Sequence, residues 1–352
     1  MSGTVLTDVT AIREAATALR SPQDLDPLVR RIGRARIVLL GEATHGTAEF
    51  HRWRSELTKR LLAERDFSFV AVEGDQAECH RVHCCVAGAP GAPNDAGQAL
   101  WGFRRWPTWR WANEEVAEFA GWLRSFNATG DGVPCGFHGL DVHSLWAALR
   151  GFVREDAPDR MDATVRAWNA RDTHLADSLD RLLRAYGPRS KAVVWAHDSH
   201  VGDARATDLA AAGMVNLGRL MRERHAADGV VAVGFGTHRG SVMAAGHWGG
   251  PVRRMTVEPA RPDSFEGVLH DAVPGGDSLF VFGDDDAWAH ELRGQRTIGV
   301  VHRGGGYVPA VPAARFDAFV HCDETTAITP LHHWEPEEDT PFVPAQAFPR
   351  GG

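Results

Sequence analysis

No apolar run in this chain approaches the ~20 residues that a membrane-spanning helix needs. The first segment, Met1 to Arg20, has no apolar signal core either. Cysteine is scarce and odd in number: there are five, and Cys84 and Cys85 are adjacent, which argues against a disulfide framework. Runs of basic residues are missing as well. With 38 basic against 46 acidic residues the net charge is −8, which makes nucleic acid and anionic membrane poor partners. The expectation is a soluble, cytoplasmic protein acting on a small molecule. Nothing in the sequence specifies an oligomeric state.

Several catalytic signatures are also absent. No Gly-x-Ser-x-Gly elbow occurs, which removes the commonest α/β route through an acyl-serine. There is no Walker phosphate loop, no His-Glu-x-x-His zinc helix and no Gly-x-Gly-x-x-Gly turn; Gly234-Phe-Gly236-Thr-His-Arg-Gly240 has the wrong spacing. One run, Cys79-His80-Arg81-Val82-His83-Cys84-Cys85, carries soft metal donors. On a helix, however, Cys79 pairs with His83 and His80 with Cys84 on different faces, which does not build one tetrahedral site. His197 and His200, with Glu42 and Glu73, are a second arrangement that would suit a metal. We expect neither, and no cofactor.

What the chain does contain is a series of short apolar runs that read as strands: Ile37–Leu40, Phe69–Val72, Cys135–Leu140, Ala192–Ala196, Val230–Phe235, Leu279–Phe282, Ile298–Val301 and Ala318–His321. Helical periodicity lies between many of them. This alternation predicts an α/β fold, a largely parallel or mixed central sheet flanked by helices. The stretch 143–185 reads as a helical lobe covering the cleft, 1–334 as a single domain, and 335–352 as an acidic, proline-rich tail.

The strand ends carry the chemistry. Gly41-Glu42-Ala43-Thr44-His45-Gly46-Thr47 follows the first strand and opens a helix, placing a carboxylate and an imidazole three residues apart. A strand-to-helix turn with a capping threonine would explain this heptapeptide alone. But Glu73 closes the second strand, Asp141 the third, and His197 and His200 follow the fourth. Parallel strands bring all of these to one rim, where α/β proteins bind ligands.

Two charges fall on apolar helix faces. Phe50, Trp53, Leu57 and Leu61 form one stripe, and Arg54 lies inside it. Either its head group reaches past the core edge or it is buried against an acid, and Glu73 is the expected partner. Asp172 falls among Trp168, Leu175, Leu179 and Leu182 in the same way, and is expected to face the cleft. A cleft of histidines, carboxylates and arginine without an obvious covalent nucleophile suits a histidine acting as general base on water.

These residues resemble the erythromycin esterase family from about Ile37 to Leu331. The anchors are the heptapeptide at 41–47, Phe50-x-x-Trp53-Arg54, Ala71-Val72-Glu73, Pro107-Thr108-Trp109 and Gly139-Leu140-Asp141. Further along stand Trp168-Asn169-x-Arg171-Asp172-x-His174, the run Val194 to Asp203, Gly234-Phe-Gly-Thr237, Tyr307-Val-Pro309 and Asp323-Glu-Thr325. The resemblance implies an ester or lactone hydrolase that needs no metal. It makes His45 the general base and Glu42 its carboxylate, with Arg54 and Glu73 as further essential residues. It places His197 and His200 on the opposite wall, to stabilise the oxyanion or protonate the leaving group. Trp109, Asp141, Arg171, Asp172, His174 and Thr237, which stand in these motifs, are expected to contact substrate. Three departures stand out. Asp198 replaces the family's usual Asn and is expected to add negative charge beside His197. The Cys79–Cys85 run stands where the family typically has Tyr, Asn and Arg. The interval from Asp141 to Trp168 is short, so the helical wall is smaller and erythromycin itself is a poor candidate substrate. Two rivals remain: a biosynthetic enzyme using the same base for cyclisation, elimination or imide opening, and a non-catalytic binder.

Overall fold

Side chains of the central strands alternate between two apolar layers, as the two-residue period of a strand dictates. In β2 (Ile37–Leu40), Ile37 and Leu39 enter one layer and Val38 and Leu40 the other. The computed structural model describes residues 2–130, 132–142 and 160–332. The other strands are β1 (Thr17–Leu19), β3 (Phe69–Asp75), β4 (Gly136–Asp141), β5 (Ala192–Trp195), β6 (Val230–Ala245), β7 (Val252–Val257), β8 (Asp277–Val281), β9 (Arg293–Thr297), β10 (Gly306–Ala310) and β11 (Ala318–Thr325). Nine of them form one sheet in the order β1-β8-β11-β6-β2-β5-β3-β4, with β7 paired to β6. The run from β11 to β4 is parallel throughout, while β8 and β7 join antiparallel. The architecture is thus the mixed α/β sheet expected from the alternating pattern.

Helices cover both faces. The helices are α1 (Ser2–Ala15), α2 (Asp26–Ile32), α3 (Ala48–Glu64), α4 (Gln76–Val86), α5 (Ala96–Leu100), α6 (Glu114–Ala128), α7 (Arg160–Tyr186), α8 (Asp198–Val201), α9 (Leu217–Arg224), α10 (Phe265–Ala272) and α11 (Pro312–Arg315). Phe50, Trp53, Leu57 and Leu61 of α3 join Val38, Leu40 and Val193 in one layer. Leu175, Leu179 and Leu183 of α7 join Ile37, Leu39 and Phe265 in the other. Burying both faces leaves the strand ends as the place where polar groups gather. None of the described helices is long and apolar enough to cross a membrane.

Four strands escape the sequence pattern, and one expected strand is displaced. β1 is only three residues long, and β7 (Val-Arg-Arg-Met-Thr-Val) and β9 (Arg-Gly-Gln-Arg-Thr) are too polar to stand out. β10, the antiparallel partner of β9, carries a proline. The apolar run Ile298–Val301 is not a strand. It follows β9 and makes only isolated bridges, Ile298 with Thr44 and Val301 with Ala245. β6 runs ten residues past its expected end because it leaves the parallel core to form a hairpin with β7. The first part of the expected lobe, 143–159, and the tail 335–352 lie outside the described residues.

Candidate active site

The turn after β2 is pinned from both sides. Gly41 N donates to Val233 O (2.8 Å), and Ala43 O accepts from Ile298 N (2.7 Å). Gly46 O accepts from Met243 N (3.0 Å) and Ile328 N (3.1 Å). The two glycines are required by this packing. A Cβ on Gly41 would stand 1.8 Å from Asp198 Oδ1, and one on Gly46 2.0 Å from Met243 O. A loop held this closely positions Glu42 and His45 without reorganisation.

Glu42 is 1% exposed and His45 6%, and they share a hydrogen bond of 2.7 Å between His45 Nδ1 and Glu42 Oε1. The other oxygen of Glu42 lies 2.7 Å from Arg54 Nη2. Burial alone would raise the Glu42 pKa, but Arg54 and His45 hold it well below the usual carboxylate range. Glu42 is therefore an acceptor, which puts the His45 proton on Nδ1 and leaves Nε2 with a lone pair. Burial, then the nearby charge of Arg110, lowers the pKa of His45 against the pull of Glu42, so the ring is neutral at pH 7. Arg54 also donates to His51 Nδ1 (3.1 Å), whose pKa burial and Arg54 lower to about 3.

The expected Arg54–Glu73 pair is not formed. A helical side chain leans toward the N-terminus of its helix, so Arg54 reaches back to the end of β2, where α3 begins. Glu73 lies two residues before the end of β3, and β5 lies between β2 and β3. Two strand spacings, roughly 9–10 Å, separate the two carboxylates' strands.

Glu73 organises a second cluster. Its Oε1 accepts from Arg171 Nη2 (2.7 Å) and lies 3.3 Å from His200 Nε2. Its Oε2 lies 2.5 Å from Arg110 Nη2 and accepts from His197 N (3.0 Å). Burial opposes ionisation here too, yet Arg110, His200 and Arg171 hold Glu73 well below its ordinary value. Arg171 also binds Asp141 Oδ2 through Nε (3.0 Å) and Nη2 (2.6 Å). His200 Nδ1 donates to Asp172 Oδ1 (2.9 Å), and its ring stacks on Trp168 with centroids 4.7 Å apart. Burial disfavours the charged ring, but Asp172 and Glu73 outweigh it and raise the pKa to about 9. His200 is thus an imidazolium at neutral pH. Its charge favours the folded state fully below the free-imidazole value of 6.5, and this contribution is lost as pH rises through about 9. Asp172→Asn should move the NMR titration of His200 downward, and that loss of stability to lower pH with it. An unmoved titration would remove Asp172 as the cause.

His197 and Asp198 differ from expectation. His197 Nδ1 accepts from Ser199 N (3.2 Å), leaving Nε2–H to donate to Ala43 O (3.2 Å). Both ring nitrogens are thus engaged, and burial, with His45 nearby, lowers the pKa to about 3. The ring packs against His45 at 4.9 Å between centroids rather than offering a proton. Burial pushes Asp198 up to about 8, so at neutral pH it does not add the expected negative charge.

Comparison with known proteins places these residues in a family. The profile described as "Erythromycin esterase" matches residues 62–166 and 153–325. The chain belongs to the erythromycin esterase family. Among solved structures, a protein described as a succinoglycan biosynthesis protein superposes with a TM-score of 0.74 at 19% identity, covering 94% of this chain and 99% of that one. A Bacillus cereus protein gives 0.71 at 15% identity, covering 93% and 99%. A histidine-to-asparagine mutant of erythromycin esterase EreC, in its open conformation, gives 0.62 at 16% identity, covering 88% and 98%. At these identities the likeness is one of fold. Family membership supports an esterase-type hydrolase acting on a small molecule.

In this erythromycin esterase family member, the sequence-predicted residues divide into three groups. Glu42, His45 and Arg54 form one chain of contacts, and Glu73, Asp141, Arg171, His200 and Asp172 form the adjoining cluster. Asp172 stands behind His200, where it also accepts from Leu217 N (2.8 Å), so it positions the imidazole instead of facing the cleft. Trp109 is fully buried, His174 lies along α7 with Nε2 3.4 Å from Ser178 Oγ, and Thr237 bonds Arg239 O and Thr325 Oγ1. Thr237 thus ties β6 to β11. Arg110 went unrecognised: it lies in a single helical turn, Thr108–Arg110, where no periodicity marks it, one residue past the flagged Trp109. On α4 the Cys84–His80 contact (3.5 Å) is on the outside, while Cys79 is buried against Gly74. Among the described residues, no three His, Cys, Asp or Glu side chains converge as metal ligands.

Proposed function

We propose that the protein hydrolyses an ester or lactone by direct attack of water activated by His45. The observation that supports this best is the contact chain Arg54–Glu42–His45, which leaves Nε2 of a neutral imidazole as a base. His45 Nε2 takes a proton as the water oxygen bonds the carbonyl carbon, and the carbonyl π pair moves onto oxygen. Glu42, held ionised by Arg54, orients the ring and stabilises the imidazolium that forms. Collapse of the tetrahedral intermediate breaks the bond to the leaving oxygen, which recovers the proton from His45. His200 and Arg171 supply fixed positive charge on the other wall, and His197 serves as packing for the base.

One contact favours a second reading. Ser199 Oγ lies 2.8 Å from His197 Nδ1, an arrangement that could prime an acyl-serine. Against it stands the pKa of His197, about 3, too low for an effective base at neutral pH. Turnover of a panel of 4-nitrophenyl esters and macrolactones, followed for burst kinetics and acyl-enzyme trapping, separates the routes. Water attack predicts no burst, no trapped acyl-enzyme, and activity retained in Ser199→Ala. An acylated Ser199 would overturn it. The same assay addresses the biosynthetic alternative, raised again by the fold shared with a succinoglycan biosynthesis protein. Hydrolysis adds the mass of one water; cyclisation or elimination does not.

A further inference from the structure

We infer that Arg110 is the cation that stabilises the oxyanion, a role that rests on the water-attack reading and extends it to neutral substrates. Among the described residues, four cationic side chains surround the candidate site; two of them each engage two carboxylates, and a third lies behind Glu42. Arg171 is bound to Asp141 and Glu73, and His200 lies between Asp172 and Glu73. Arg54 sits on the far oxygen of Glu42, which places the Glu42 carboxylate between it and His45. Arg110 differs. Its guanidinium is 6% exposed and touches a single carboxylate oxygen, Glu73 Oε2, on the side of the site away from Glu42, while its Nε, like Nε and Nη1 of Arg54, has no hydrogen-bond partner among the described residues.

A buried arginine N–H gains from an acceptor, so an oxygen entering the site would meet a ready donor. The charge of Arg110 also depresses the pKa of His45, second only to burial, so its field reaches the base. Glu73 fixes the guanidinium in place, so a donor stands ready where charge develops and nothing must reorient at the moment of reaction. Arg110 donates a hydrogen bond to the oxygen that receives the carbonyl π pair, and keeps its own proton throughout.

The charge balance indicates the substrate class. Around Glu73, Arg110, Arg171 and His200 face Glu73, Asp141 and Asp172, so little positive charge is left over in the resting site. Among the described residues an anionic substrate would find no spare counter-charge. A neutral ester or lactone gains from Arg110 only as its oxygen becomes negative, which is stabilisation specific to the transition state.

The test uses Arg110→Lys and Arg110→Met in the full chain, with 4-nitrophenyl butyrate as probe. Loss of an oxyanion donor should lower kcat by ~10²–10³ with little change in KM. Removing the cation in Arg110→Met should raise the pKa of His45, read by NMR without any substrate and, where turnover is measurable, as an upward shift of the acid limb of kcat/KM. Arg110→Lys should keep that pKa low, and added guanidinium should restore part of the Met variant's activity. A folded Met variant with wild-type kcat, or with an unmoved His45 titration, would show Arg110 to be only a counter-ion for Glu73. Should the Met variant fail to fold, Arg110→Gln, which keeps a donor for Glu73 without the charge, still decides: retained wild-type kcat overturns the role. Retained activity in His45→Gln would instead overturn the water-attack reading itself.

Discussion

His45→Gln should leave the fold intact and lower kcat by at least ~10²-fold on any ester or lactone the enzyme turns over. Glutamine can still donate to Glu42 Oε1, so the buried carboxylate keeps a partner and the substitution should be mild for stability. What it cannot do is accept a proton from water. The pH profile of the native enzyme carries the same assignment. Burial and Arg110 hold His45 below its ordinary value of 6.5, so kcat/KM should rise through a pKa under 6.5 and reach a plateau by neutrality. It should fall again as His200 loses its proton near pH 9. Loss of the acid limb in the Gln variant, with the alkaline limb intact, would tie the lower pKa to His45. A Gln variant with native kcat would remove His45 from the chemistry and leave the Glu42–His45 pair as a structural element of the turn.

The parts of the site that could be read in the sequence are those fixed by local geometry. Strand ends were recognisable because a buried strand is a short apolar run and the first polar side chain that breaks it lies near the rim, as with Glu42 after β2 and Glu73 in the last residues of β3. Parallel pairing of β2, β5, β3 and β4 then gathers those ends without further information. The place of Arg54 inside the apolar α3 stripe was likewise legible, since it follows from helical period alone, but the pattern left both a buried and a solvent-reaching head group open; it is buried. Its partner was not legible, because that depends on sheet order and on the lean of helical side chains. β5, inserted between β2 and β3, is distant from both in sequence. Arg110 was hidden for a related reason. A one-turn segment has no repeating pattern, and only the fold shows that this loop crosses the end of β3. The engagement of both His197 ring nitrogens rests on contacts with Ser199 and Ala43 that no spacing rule conveys.

Arg54 provides the sharpest test, because stability and activity should separate in a defined way. Arg54 is fully buried and its ion pair with Glu42 is completely desolvated. Removing the arginine alone strands a buried carboxylate, so Arg54→Met should destabilise the protein by ~3–5 kcal/mol. It should also raise the pKa of His45, since Glu42 would then direct its charge at the imidazole alone, and move the acid limb of kcat/KM upward. Arg54→Met with Glu42→Leu removes both charges and should recover much of the lost stability, because two apolar side chains of similar volume can fill the space. Activity should not return, as His45 would have no carboxylate to set its tautomer. Denaturant unfolding of the single and double variants gives the coupling directly. Strong coupling between Arg54 and Glu42, with near-additivity between Arg54→Met and Glu73→Leu, is the expected pattern. Coupling to Glu73 and additivity with Glu42 would mean that Arg54 reaches across β5 after all, and His45 would then lack the buried arginine that keeps its carboxylate ionised.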